Sequence, residues 1–157
     1  MNVRERAVSY LNLKPRTRAQ VRTYLRDKGF EPSEIEETIA ELEEYHYLDD
    51  LEFARQYLQY GFEKGRGMLR IRRELAEKGV ASETVQMACD ELEDEEALPD
   101  QRKMALEIAA RMADGIDLET LDYSDKQKLQ AKIGRRLASR GFSSDIVYSV
   151  IRQVVNV

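Results

Sequence analysis

The 157-residue chain has one cysteine, one histidine, no tryptophan, three prolines and eight glycines. A lone Cys89 cannot form an internal disulfide, and no CxxC or paired histidine offers the spacing of a zinc site. Cys89 falls at helical spacing among Val85, Ala88 and Leu92, the setting expected of a buried core thiol. His46 has no partner Cys or His nearby, so neither a metal ligand set nor a Ser–His–Asp arrangement is expected around it. No apolar run is long enough to cross a membrane, and no apolar stretch follows the early charges of the N-terminus, which predicts a cytoplasmic protein. Alternating β-branched runs of strand length are missing as well. With 42% apolar but only 8% aromatic residues, and 35% charged, the composition predicts an all-α fold with wide solvated faces.

The formal net charge is −5, which argues at first against a nucleic-acid partner. Its distribution says otherwise. Lys14 to Lys28 holds six basic residues against one Asp, and Glu31 to Glu52 holds ten carboxylates with no Lys or Arg. Lys64 to Lys78 holds six basic residues against two Glu, and Glu83 to Asp100 eight carboxylates with none. Lys126 to Arg140 returns to six basic residues without an acid. Blocks of alternating sign point to a repeat.

Aligned on glycine, the stretches LRDKGFEPSEI (25–35), LAEKGVASETV (75–85) and LASRGFSSDIV (137–147) share a Leu four residues before the Gly and a basic residue just before it. Phe or Val follows the Gly, and an aliphatic residue stands six positions after it (Ile35, Val85, Val147). The register extends to Val21, Ile71 and Ile133, to Ile39, Cys89 and Ile151, and to Leu42, Leu92 and Val154. Three tandem three-helix repeats are therefore expected, over 1–47, 48–97 and 98–157. The third carries extra length near 115–124, expected as a loop insertion or a short added helix. Each repeat glycine suits a left-handed helix end, and the apolar residue after it can fold back on that helix. Leu48, Asp49, Glu52 and Phe53 fit a capping box with a hydrophobic staple, which explains this acidic cluster without metal or acid–base chemistry.

In EKGRGMLRIRREL (63–75), Arg66, Arg70 and Arg73 stand at i, i+4 and i+7, the spacing of one stripe on a middle helix. The same columns hold Lys128, Lys132 and Arg135 in the third repeat. In the first they hold Arg16, Gln20 and Thr23, with Arg22 supplying a neighbouring cation. Met68, Ile71 and Leu75, like Leu129, Ile133 and Leu137, fall on the other side as core. The stripe is almost purely Arg and Lys, which suits phosphate contact better than base reading. KGRG has the spacing of neither phosphate-binding glycine motif, and no strand precedes it. The two readings left open are solvated faces balanced by weak ion pairs, and a binding surface.

The runs YHYLDDLEFARQYL (45–58) and KGRGMLRIRRELAEKGV (64–80), with 17–50 before them, resemble the RecX family of bacterial recombination regulators. The resemblance covers nearly the whole chain and is strongest over 17–89. It implies an elongated, curved array of three three-helix repeats, a monomer without enzymatic activity, cofactor or metal. It implies binding in the groove of the RecA recombinase filament and restraint of its ATPase, coprotease and strand-exchange activities, hence a part in DNA repair, recombination and the SOS response. The filament-contacting residues expected on this basis are Arg66, Arg70, Arg73, Lys128, Lys132, Arg135, Arg16 and Arg22. Family members are often net basic, so the charge of −5 predicts weak, salt-sensitive binding to free DNA and tighter binding to a filament with its single strand inside. A helix-turn-helix DNA-binding regulator and a purely protein-binding helical-repeat adaptor are the alternatives.

Overall fold

The computed structural model describes residues 1–155; Asn156 and Val157, at the end of the third expected repeat, lie outside them. Nine helices and no strand occur among the described residues. They are α1 (Val3–Leu13), α2 (Arg18–Asp27), α3 (Pro32–Glu44), α4 (Asp50–Glu63), α5 (Met68–Glu77), α6 (Ser82–Asp94), α7 (Gln101–Met112), α8 (Tyr123–Arg140) and α9 (Ser144–Val154). The architecture is an all-α helical repeat array.

The repeat glycines close α2, α5 and α8 in the same way. Gly29, Gly79 and Gly141 sit at φ +87°, +86° and +99°, where a side chain is strained. The next residue reaches back five positions: the amides of Phe30, Val80 and Phe142 donate to the carbonyls of Leu25, Leu75 and Leu137 at 3.2, 3.0 and 3.2 Å. This is the Schellman helix end expected from the sequence. Two further left-handed ends lack a glycine. His46 (φ +63°) and Glu96 (φ +56°) occupy them just after α3 and α6, and Tyr47 donates to Leu42 O at 2.8 Å across the first. His46 is thus an exposed turn residue. Asp49 caps α4, its Oδ1 accepting from the Glu52 amide at 3.1 Å, as the entry motif predicts.

The apolar columns go inside, with Met68, Ile151 and Val154 only partly buried. Ala7, Val21, Leu25, Ile35, Ile39, Leu42 and Leu48 form one buried cluster. Ala105, Ala109, Leu129, Ile133, Leu137, Phe142, Val147, Val150 and Val155 form another. Ile71, Leu75, Val80, Val85, Ala88, Cys89 and Leu92 are buried in the middle repeat. Each large aliphatic side chain so buried contributes about 1.5–3 kcal/mol.

The chain resolves into two compact units. The first comprises Met1–Tyr57 with Arg73–Glu96, the second Leu58–Arg72 with the chain from Ala97 onward. They do not coincide with the sequence repeats, because residues 58–72 of the middle repeat group with the third. Charge divides with them: eleven Lys and Arg against twenty-one Asp and Glu in the first, fourteen against nine in the second, or −10 and +5.

One joint recurs inside each unit. In the first, Thr17 caps α2 through a box with Gln20, and its Oγ1 also donates to Lys78 O at 2.6 Å, setting the Gly79 turn against Ala19. A side chain on Gly79 would overlap Ala19 Cβ. In the second, the amides of Gly67 and Leu69 donate to Arg140 O and Gly141 O at 2.7 and 3.1 Å. A Cβ on Gly67 would come within 2.5 Å of Gly141 O. The second glycine of KGRG therefore serves backbone-to-backbone contact, and the first, Gly65 at φ +77°, turns the chain into it.

The extra length of the third repeat is only partly a loop. α8 begins 18 residues before its glycine, whereas α2 and α5 begin 11 before theirs, so about two turns of helix have been added at its N-terminus. The segment before it is a series of turns, not a separate helix. Asp117 O accepts from the Thr120 amide and hydroxyl at 3.3 and 3.0 Å, Leu118 and Leu121 pack on the core, and Asp122 caps α8 by accepting from the Asp125 amide at 2.8 Å.

Candidate nucleic-acid interface

The lengthening of α8 decides the fate of the basic columns. Lys128, Lys132 and Arg135 all lie within α8 at i, i+4 and i+7, exposed and without an ion-pair partner among the described residues. In the other repeats the first column falls outside the middle helix. Arg66 precedes α5 by two residues, so the expected Arg66–Arg70–Arg73 helical stripe loses its first member. The Arg66 guanidinium lies 5.4 Å from the Tyr60 ring centroid, and its amide donates to Gly61 O at 2.9 Å. Arg70 is half-buried at the Gly141 joint, whose Cβ position is 2.6 Å from the Arg70 amide nitrogen. Arg73 is exposed on the part of α5 that belongs to the first unit.

Arg16 and Arg22 are engaged within the first unit. The Arg16 guanidinium lies 4.2 Å from the Tyr10 ring centroid, Tyr10 stacks on Tyr24 at 3.9 Å and 1°, and Lys28 Nζ stands 5.4 Å from the Tyr24 ring. The result is a column of cation, ring, ring and cation. Arg22 grips Glu36 with two bonds, Nε to Oε1 at 2.6 Å and Nη2 to Oε2 at 3.2 Å. That hydrogen bonding raises the Arg22 pKa and lowers that of Glu36.

The same pattern recurs in this unit. Arg4 Nε bonds Glu41 at 2.9 Å, and Arg18 pairs with Glu43 at 3.4 Å. Arg55 meets Glu95 at 2.9 Å with Glu91 and Glu52 each at 3.8 Å, and its hydrogen bond lowers the Glu95 pKa. Asp50 goes the other way: burial raises its pKa, although it accepts the Arg18 amide at 2.9 Å. The balanced-surface reading thus describes Arg4, Arg18, Arg22 and Arg55 of the first unit, while Lys14, Arg26 and Arg73 have no ion pair among the described residues. In the second, besides the α8 stripe, Lys64, Arg111, Arg136 and Arg140 have no carboxylate partner among the described residues. The stripe alignment did not select these four, because they come from three separate elements that only the folded unit brings together.

Two family models match the chain, the first three-helix domain of RecX over residues 4–42 and the second over residues 49–88. The chain belongs to the RecX family. Its third repeat lies outside those two models but within the match to a regulatory protein RecX of Listeria welshimeri, 30% identical over 152 residues and covering 96% of this chain and 53% of that one. A regulatory protein RecX of Lactobacillus johnsonii is 32% identical over 149 residues, covering 94% and 52%. The chain thus spans about half the length of these curated relatives. The crystal structure of RecX from Lactobacillus salivarius shares its fold, with a TM-score of 0.78 at 24% identity over 97% of this chain and 94% of that one. Against this RecX background the open cations of α8 are a property of the third repeat, the part with the longest middle helix. No helix among the described residues is long and apolar enough to cross a membrane.

Proposed function

We propose that this RecX-family chain is a non-enzymatic regulator that binds RecA nucleoprotein filaments in their groove and restrains RecA's ATPase, coprotease and strand-exchange activities. The observation that carries this is the division of charge between the units. A filament groove offers two chemistries, the phosphates of its single strand and the side chains of its protein walls. The +5 unit with its exposed α8 stripe suits the first, and the −10 unit, whose α3 and α6 carry most of its carboxylates, suits basic groups on the second. Phosphate contact by Lys128, Lys132 and Arg135 is sequence-independent and salt-sensitive, about −0.7 in the log–log salt slope per phosphate on a single strand. Free single-stranded DNA is therefore bound weakly and the filament more tightly. The proposed acting form is a cytoplasmic monomer. A helix-turn-helix reader would mix Asn, Gln, Arg and Ser on its recognition face to distinguish the bases, and the α8 stripe columns hold only Lys and Arg.

The deciding measurement is RecA ATPase on single-stranded DNA, titrated with the protein and with a Lys128→Glu/Lys132→Glu/Arg135→Glu variant. The wild type is expected to inhibit near stoichiometric amounts and the variant to require several-fold more. No inhibition by the wild type would overturn the proposal.

A further inference from the structure

The second unit has a cleft of about 440 Å³ where the α4–α5 turn, α7 and α8 converge. Four cations line it: Lys64 from the turn, Arg111 from the last turn of α7, and Arg136 and Arg140 from α8. Glu63 is the one carboxylate among its lining residues, and Ile108 and Met112 give it an apolar floor. None of the four cations has an ion pair among the described residues. Arg140 is held in place, its Nη1 donating to Lys64 O at 3.4 Å. The turn is close to it, since a Cβ on Gly65 would stand 3.0 Å from that nitrogen. Lys64 Nζ stands 5.7 Å from the Tyr60 ring centroid, but like charges gathered without carboxylate partners repel one another, and a bound anion relieves the repulsion.

We infer that this cleft is a phosphate site for the backbone of a single-stranded nucleic acid, taking two successive phosphodiesters with the sugar between them on Ile108 and Met112. A phosphodiester carries one charge on two free oxygens, so four cations call for more than one of them. Guanidinium forks match such oxygens with paired hydrogen bonds. A duplex holds its phosphates on a convex, stacked cylinder, whereas a single strand can turn its backbone into a concave cleft. The identity of the strand, DNA inside a recombinase filament, rests on the function proposed above; the phosphate chemistry does not.

The test is fluorescence anisotropy of a short labelled oligothymidylate against the wild type and Arg111→Glu/Arg136→Glu, over a salt series. Arg111 and Arg136 are exposed, and Arg111→Gln/Arg136→Gln, with matching circular dichroism and melting, separates lost charge from lost fold. The glutamate variant is expected to weaken binding about tenfold and to flatten the salt slope by about 1.4, two phosphates' worth. Unchanged affinity and slope would overturn the inference. So would displacement of the oligonucleotide by polyglutamate as readily as by unlabelled strand, which would mark a site for acidic peptide. Tight binding of tripolyphosphate that leaves the oligonucleotide in place would overturn it as well, assigning the cleft to free phosphate. If the cleft variant loses the oligonucleotide but the wild type fails to inhibit RecA ATPase, the phosphate site stands and the filament function falls.

Discussion

In the first unit arginines meet glutamates of other helices: Arg22 of α2 with Glu36 of α3, Arg55 of α4 with Glu91 of α6 and Glu95 just beyond it. In the second, Lys128, Lys132 and Arg135 face water, and Arg111 and Arg136 line an open cleft. Shortage of acid is not the reason, since thirty carboxylates accompany twenty-five cations along the chain. What differs is placement. The acidic helices α3 and α6 belong wholly to the first unit, where they engage its arginines. The net charge of a chain therefore says little about which of its cations can meet a ligand, and an acidic total is compatible with a basic working surface.

The turn glycines provide the strongest way to break this comparison. Gly29 of the first unit and Gly141 of the second share a left-handed backbone, but nothing lies within 4 Å of a Cβ on Gly29, whereas one on Gly141 would meet the Arg70 amide nitrogen at 2.6 Å. Gly29→Ala is expected to cost about 1 kcal/mol, the strain of the backbone alone, and Gly141→Ala about 3 kcal/mol, because main chain must shift. Urea denaturation measures both, and equal losses would mean that the joint of the second unit is not rigid.

A smaller effect concerns ligand binding. Lys128→Glu/Lys132→Glu/Arg135→Glu should weaken oligothymidylate binding about tenfold and flatten the salt slope by about 2, while Arg22→Gln changes affinity less than about twofold. Comparable losses would show that the Arg22–Glu36 pair opens to bind and that pairing is no guide to availability.

The smallest effect is one of acid stability in the first unit. Glu36 and Glu95 have lowered pKa values. Their contribution is present above the ordinary glutamate value, about 4.3, and is lost as pH falls below it through the depressed values. The raised pKa of Asp50 acts oppositely, costing a little stability as pH rises through it. Glu36→Gln should remove about 0.5 kcal/mol of this acid sensitivity, a small amount because the Glu36 side chain is half exposed. Melting curves on either side of that pH check it, and a variant as acid-sensitive as the wild type would show that the Arg22 contact carries nothing.

The glycine turns, the buried columns and the Asp49 cap were legible in the sequence because each depends on residues close together in the chain. His46 and Glu96 were not, since non-glycine residues carry no mark of the left-handed conformation they adopt. The Arg66 position misled for a related reason: a fixed distance from glycine is a helical position only if the helix reaches that far, and α5 starts at Met68. Arg22 looked like a free cation because Glu36 lies 14 residues away, on the next helix. The cleft of Lys64, Arg111, Arg136 and Arg140 depends on tertiary placement alone.

The two added turns of α8 have one more effect. In the first two repeats the positions twelve and ten before the turn glycine, Thr17 and Ala19, then Gly67 and Leu69, stand at or beside a helix start and receive the next repeat's turn. In the third repeat the same positions are Leu129 and Ala131, deep in α8, where their amides already serve the helix. In the language of polymer chemistry the first two repeats are monomers with a live end, and the third is end-blocked. A module placed beyond it would need a linkage of a different kind.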